Sequence, residues 1–247
     1  MGRILEFEKV TKRFGGLLAT NDVSFHLEEG EIVFLIGPNG AGKTTVFNLI
    51  TGFVKPDAGK IRFRGRDITG GEPYEATRLG IGRTFQVVQP LPALTVRENV
   101  MLGTFLHHPR RKDAADRADQ VLDFMGLRSR ADQLASGLPL AHRKLLEVAR
   151  AIGTGATLLL LDEVMAGLNP REAEEVVGLI RRLQEFGITS VGGVEHIMRI
   201  VMSLASRVVV LDQGRKIAEG PPGEVVHDPK VVEAYLGSKF VAGSARP

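Results

Sequence analysis

The 247-residue chain contains no cysteine. Disulfides, thiol nucleophiles and cysteine-ligated zinc are therefore excluded, and the composition suits a cytoplasmic setting. No apolar run approaches the ~20 residues that a membrane-spanning helix needs. The first residues, Met1-Gly2-Arg3-Ile4-Leu5-Glu6, meet an acid before any long apolar segment, so no secretory signal is expected. An excess of one charge is missing too: the formal net charge is +3, and the basic residues are spread along the chain. Only His107-His108-Pro109-Arg110-Arg111-Lys112 is dense. It reads as a solvated loop, the other reading being a contact with nucleic acid or a lipid headgroup, and no nucleic-acid partner is expected. Internal repeats and low-complexity segments are absent. At 43% hydrophobic and 25% charged residues, what remains is an ordinary globular composition, long enough for one large domain or a domain with an insertion.

What is present is concentrated in one stretch, Gly37-Pro38-Asn39-Gly40-Ala41-Gly42-Lys43-Thr44-Thr45. It satisfies the G-x-x-x-x-G-K-[ST] pattern in full. The apolar run Ile32-Val33-Phe34-Leu35-Ile36 precedes it as a buried strand, and Thr45-Val46-Phe47-Asn48-Leu49-Ile50 follows as a helix ending near Gly52. Glycines let consecutive N–H groups curl around an anion, and the helix start adds free donors and a positive dipole end. In such a loop Lys43 reaches the β- and γ-phosphates and the Thr44 hydroxyl holds Mg²⁺. The chain is read as a P-loop NTPase.

Around this stretch the sequence predicts an α/β organisation. Residues 4–10, 22–28 and 60–64 alternate as strands of a small antiparallel sheet, with Phe14 on a loop before Gly15-Gly16. Residues 73–79 form a short helix, and a strand over 81–88 reaches Gln86. Thr95-Val96-Arg97-Glu98 is a capping box opening a helix to about 105; further helices cover 113–125 and 138–152. Strands at 157–161, 188–194 and 207–211 then alternate with helices at 170–186 and 196–203. Asn169, Pro170 and Glu172 supply cap, first and third position of the first of these helices. Residues 216–219 pair back across Gly214, and short helical pieces at 224–226 and 230–236 precede a frayed tail from 239. The expected division is a nucleotide-binding core with its antiparallel subdomain over 1–90 and 151–237, and a helical subdomain over 91–150.

A second chemical signal is Leu158-Leu159-Leu160-Leu161-Asp162-Glu163. Four apolar residues followed by two acids put both carboxylates at the C-terminal end of a buried strand, where ligands sit in open α/β sheets. Asp162 would reach Mg²⁺ through its water shell, and Glu163 would take a proton from the attacking water. The plainer alternative has Asp162 capping the next helix and Glu163 facing solvent. A GTPase would carry Asn-Lys-x-Asp, and no such tetrapeptide occurs.

With both signals in place, the chain resembles the ATP-binding cassette ATPases over residues 4–237, with motifs in the family's order and spacing. The resemblance implies one ATPase domain with a RecA-like parallel core, an antiparallel β subdomain and an inserted α-helical subdomain. It implies that Phe14 stacks on adenine and that Gln86, in Arg83-Thr84-Phe85-Gln86, senses Mg²⁺ and the attacking water. It also implies that His196 contacts the γ-phosphate. Read alone, Gln86 is an ordinary strand-end residue and His196 a cap or surface residue.

The family places Leu-Ser-Gly-Gly-Gln at the start of a helix ending in Ala-Arg-Ala, and that helix start docks on the partner chain's nucleotide. Counting back from Ala149-Arg150-Ala151 gives Leu138-Pro139-Leu140-Ala141-His142, in which only the leucine survives. Pro139 brings neither hydroxyl nor N–H, and Ala141 adds a methyl group where the backbone should close on phosphate. Val164 and Asn169 stand where proline and aspartate are usual. The runs Gly82 to Gln86, Leu94 to Val100, Ala166 to Pro170 and Glu233 to Gly237 resemble the ATPases of branched-chain amino-acid importers, in the first of their two types. That likeness implies ATP and Mg²⁺, integral membrane permease subunits, and a second ATPase subunit, with a heterodimer favoured over a homodimer. It implies a location on the cytoplasmic face of the membrane. A soluble single-cassette ATPase and a weakly hydrolysing regulatory subunit are the competing expectations.

Overall fold

The computed structural model describes residues 2–86, 90–195 and 197–236. They form two compact units, one of the described residues within 2–73 and 192–236, and one of those within 74–191.

The first unit opens with a long hairpin, β1 (Arg3–Phe14) and β2 (Leu17–Glu28), closed where Phe14 pairs with Leu17. Strand β1 runs further than the alternation at 4–10 predicts, and Phe14 is its last residue rather than a loop residue. The extension is held by register shifts and by Asp57, whose carboxylate accepts from Lys12 Nζ at 2.9 Å and Arg13 N at 2.7 Å. Such bulges break the simple alternation from which the strand's end was read. Ile4, Leu5, Phe7 and Val10 face inward, with the Phe7 and Phe25 rings 5.0 Å apart. β3 (Ile32–Ile36) leads into α1 (Lys43–Ile50). β4 (Ala58–Phe63) and β5 (Arg66–Asp67) complete an antiparallel sheet ordered β2-β1-β4-β5, as expected.

The second unit starts at α2 (Pro73–Leu79) and β6 (Ile81–Arg83). The strand expected to reach Gln86 stops three residues earlier; Val87 and Val88 lie outside the described residues. Helices α3 (Val96–Thr104), α4 (Arg111–Phe124) and α5 (Leu140–Gly153) follow. The capping box is formed: Glu98 N donates to Thr95 Oγ1 at 3.1 Å and Thr95 N to Glu98 Oε2 at 2.9 Å. Buried Asn99 pins the preceding loop, accepting from Leu91 N at 2.9 Å. α3 and α5 cross at Gly103 and Gly153, where a Cβ would come within 2.8 Å of Arg150 O or 3.0 Å of Val100 O. Only glycine permits that approach.

α5 begins two residues after its predicted start because Pro139 occupies the cap position. β7 (Leu158–Asp162) is buried throughout and pairs in parallel with β6. α6 (Pro170–Arg181) carries the expected Asn169–Glu172 capping box but ends at Arg182. Its last turns tighten into a separate 3₁₀ piece over Leu183–Phe186, closed by Gly187 at φ 90°. Buried Leu183 and the stacking of Phe186 on Phe124, 4.9 Å apart, pull these residues off the helix axis.

The chain returns to the first unit along β8 (Ser190–Val194). α7 (Met198–Leu204), β9 (Arg207–Asp212), β10 (Arg215–Gly220), α8 (Pro222–Val225) and α9 (Pro229–Leu236) follow. β9 pairs in parallel with β3 and antiparallel with β10, as expected from the turn at Gly214. Arg207 is the polar clamp of this unit: it donates to Glu31 at 2.7 Å and His26 O at 2.7 Å, and pairs with Glu219. The expected frayed tail, residues 239–247, lies outside the described residues.

Candidate functional site

On the first unit, β3 delivers the chain into the glycine loop and α1 takes it away. Gly37 sits at φ 146°, where a Cβ would lie 2.0 Å from Leu211 O, and Gly42, the α1 N-cap, sits at φ 104° with Ala19 O 2.3 Å from a built Cβ. Gly40 has φ 81°. The loop can be made only with glycine at 37 and 42. Ala41 N donates to Pro38 O at 3.2 Å, which rounds the turn through Asn39 and Gly40. Lys43 is 6% exposed, and its ammonium donates to the carbonyls of Gly37 at 2.7 Å and Pro38 at 3.0 Å. The cation is thus folded over the loop. Thr44 and Thr45 occupy the first turn of α1. Phe14 presents a largely exposed ring at the end of β1, with Lys12 Nζ 5.5 Å from its centroid.

On the second unit the two carboxylates part company. Asp162, the last residue of β7, is 1% exposed. Its Oδ2 accepts from Arg83 Nη2 at 3.1 Å, and its N–H donates to Thr84 Oγ1 at 3.0 Å. Burial pushes the Arg83 pKa down, and the Asp162 charge works against that shift. Glu163 turns out of the strand at φ 50°, the left-handed region, and is half-buried. Its Oε2 accepts from Gln86 Nε2 at 3.0 Å, and its backbone carbonyl accepts from Lys144 Nζ at 2.9 Å. Asp162 therefore does not cap the next helix, and Glu163 is engaged rather than simply solvated. Gln86 reaches it from a bend. Thr84 N still bonds Leu160 O at 2.9 Å, but Phe85 N turns to Glu147 Oε2 at 3.4 Å, so the ladder ends before Gln86.

The eroded segment has a definite form as well. Leu138 is buried, Pro139 caps α5 without a side-chain hydrogen bond, and Leu140 is exposed. Ala141 is buried. His142 Nδ1 is buried without a hydrogen-bond partner among the described residues, and burial, reinforced by Arg130, pushes its pKa down. His196 lies outside the described residues.

Three participants escaped the sequence reading. Arg83 and Thr84 stand within a run valued only for its likeness to relatives. Lys144 carries a signal that could have found it: a lysine on the apolar stripe Ala141, Val148, Ala151 of α5. A buried lysine needs a partner.

Thr44, Gln86 and Asp162, the residues expected to bind Mg²⁺, each carry a hard oxygen of the kind that ion takes. Among the described residues no group of three or more His, Cys, Asp or Glu could hold a metal by itself.

A family model described as ABC transporter matches residues 20–166, and a second, described as branched-chain amino acid ATP-binding cassette transporter, matches residues 215–241. The high-affinity branched-chain amino acid transport ATP-binding protein LivG of Salmonella typhimurium is 41% identical, over 95% of this chain and 98% of the relative. The corresponding BraF protein of Pseudomonas aeruginosa is 38% identical over the same shares. Among solved structures, a nucleotide-free ATP-binding cassette from an ABC transporter superposes with a TM-score of 0.87 at 34% identity, covering 96% of this chain and all of its own. The dimeric, post-hydrolysis cassette MJ0796 bound to ADP and Pi superposes with a TM-score of 0.77 at 26% identity, covering 88% of this chain and 98% of its own. The glycine loop, the strand ending in two carboxylates and these likenesses have one common reading: the chain belongs to the ABC transporter family, as one of its ATP-binding cassettes.

Proposed function

We propose that this chain is the ATP-hydrolysing subunit of an importer for branched-chain or other hydrophobic amino acids. The observation that carries the substrate reading is the match of residues 215–241 to the branched-chain transporter family, a segment separate from the nucleotide motifs. The names of LivG and BraF support it. A permease embedded in the membrane would be the partner, with the cassette lying against its cytoplasmic face. No helix among the described residues is long and apolar enough to cross a membrane. The helical subdomain over 91–150 is the part we assign to following the nucleotide state.

In this reading the N–H groups from Gly37 to Thr45, with Pro38, Asn39, Gly40, Ala41 and Gly42 shaping the loop, bind the phosphates. Lys43 exchanges its loop carbonyls for β- and γ-phosphate oxygens, and Phe14 offers its ring to adenine. Thr44, Gln86 and Asp162 would hold Mg²⁺, which would offset the charge that develops on the phosphates. Glu163 takes the proton of the attacking water, a contribution of ~10²–10⁴ in rate. Gln86, bonded to that carboxylate at 3.0 Å, orients it, and His196 is assigned to the γ-phosphate. ATP closes two cassettes around the nucleotide, as the dimeric relative supports. We favour a second, different ATPase chain as the partner, because Leu138 to His142 has lost its glycines and hydroxyl. A site borrowing that segment turns over slowly.

Purified Glu163→Gln protein, mixed with ATP and run on size exclusion, tests this. Blocked hydrolysis traps any closed dimer that the chain can form. A monomer that still binds ATP is the expected result and supports the heterodimer; a stable dimer replaces it with a homodimeric motor. Failure to bind ATP would remove the ATPase reading altogether.

A further inference from the structure

We infer that Lys144 is a positioning residue for Glu163, setting the direction of its carboxylate through the backbone; this rests on the hydrolytic role proposed for Glu163. Glu163 holds φ at 50°, a region that side-chain-bearing residues enter only when their surroundings fix them there. Its neighbour does not fix it: Val164 has no pyrrolidine ring to restrict the preceding residue. Two donors meet its carbonyl, the Ala166 N–H at 3.1 Å and an ammonium group. Lys144 Nζ donates to the Glu163 carbonyl at 2.9 Å, and the lysine is 6% exposed.

A charged donor makes a shorter and stronger bond to a carbonyl than a neutral one. Fixing that carbonyl fixes ψ of Glu163 and the peptide plane after it. Together with the left-handed φ, this sets the Cα–Cβ direction along which the side chain leaves β7. Gln86 then holds the far end at 3.0 Å. The carboxylate is gripped at both ends, and the main-chain grip comes from the buried face of α5, four residues after the helix start at Leu140. Removing the Lys144 donor leaves that end to the weaker, neutral bond from Ala166 N and loosens it. The carboxylate stays present and ionisable but samples directions from which it cannot take the proton of water, and misplacement of about an ångström can cost ~100-fold.

The test uses the full chain carrying Lys144→Met, Lys144→Arg, Glu163→Gln and the Lys144→Met/Glu163→Gln pair. Steady-state ATP hydrolysis, single-turnover hydrolysis and the Kd of a fluorescent ATP analogue are measured. Lys144→Met should lower kcat by about 10- to 100-fold with KM and Kd within about twofold of wild type. Lys144→Arg, which keeps a charged donor, should recover most of kcat. On the Glu163→Gln background Lys144→Met should remove nothing further from the single-turnover rate. Should Lys144→Met fail to fold, Lys144→Gln, which stays polar but falls short of the carbonyl, takes its place. Wild-type kcat in Lys144→Met, parallel loss of Kd, or an undiminished effect on the Glu163→Gln background each overturns the assignment. If the wild-type chain gives no hydrolysis even at protein concentrations high enough to drive two copies together, the hydrolytic reading fails and this one with it; slow hydrolysis indifferent to Lys144 sinks only the positioning role.

Discussion

Two helix starts in this chain descend from the same chemical idea and have been built differently. α1 begins behind Gly37, Gly40 and Gly42, with the backbone cleared of side chains and Lys43 folded over it. α5 begins behind Pro139, with Leu140 and Ala141 opening its first turn, no glycine among these three, no capping side chain and one N–H fewer. Both keep the dipole and the first-turn donors of any helix. Only α1 keeps the access. The difference teaches that binding phosphate at a helix start is less a matter of charge than of what stands in front of the N–H groups. A third start, α6, shows the ordinary solution, in which the Asn169–Glu172 capping box takes up two N–H donors internally and Pro170 at the first position brings none.

Breaking the intact start should have the largest effect. Lys43→Ala removes the cation from the loop and should reduce ATP hydrolysis by ~10²–10³-fold, with ATP affinity falling as well. Titration with a fluorescent nucleotide and a turnover assay read the two quantities. Unchanged affinity would mean that the glycine loop alone carries binding, and the contrast with α5 would shrink.

Repairing the eroded start should move matters by less. Pro139→Ser, Leu140→Gly and Ala141→Gly together, on the Glu163→Gln background, restore N–H and clearance at α5. ATP-driven dimerisation should then occur at about tenfold lower protein concentration, equivalent to ~1.4 kcal/mol. Sedimentation with and without ATP measures it. A repaired chain that dimerises no better would locate the deficit outside residues 138–142.

The smallest effect belongs to the self-satisfied start. Asn169→Ala should cost about 1 kcal/mol of stability, which lowers Tm by ~2–4 °C for a domain of this size. Thermal unfolding reads the shift. Hydrolysis measured at 25 °C should be unchanged, because α6 offers its donors to its own cap and not to phosphate.

The predicted elements were legible where a local rule sufficed. The capping boxes at Thr95 and Asn169, the glycine loop and the all-leucine strand before Asp162 each depend on neighbours within a few residues. Boundaries failed where the deciding partner was distant. Phe14 stays in β1 because the strand's bulges and Asp57 hold it there. The strand before Gln86 ends early because its neighbour β7 ends at Asp162 and Glu163 turns away. The helix after Pro170 breaks at Arg182 because Phe186 packs on Phe124.

The sequence by itself determined which groups are proposed to do chemistry, since Lys43, Asp162 and Glu163 are singled out by residue type, spacing and the strand or helix next to them. Tertiary structure alone decided what those groups touch. Nothing local announces that Arg83 neutralises Asp162, that Gln86 holds the Glu163 carboxylate, or that Lys144 holds its carbonyl. Those contacts join residues 19 to 79 positions apart. Folding brings them together by burying apolar faces, and the chain's own order carries no record of which polar groups will meet once that is done.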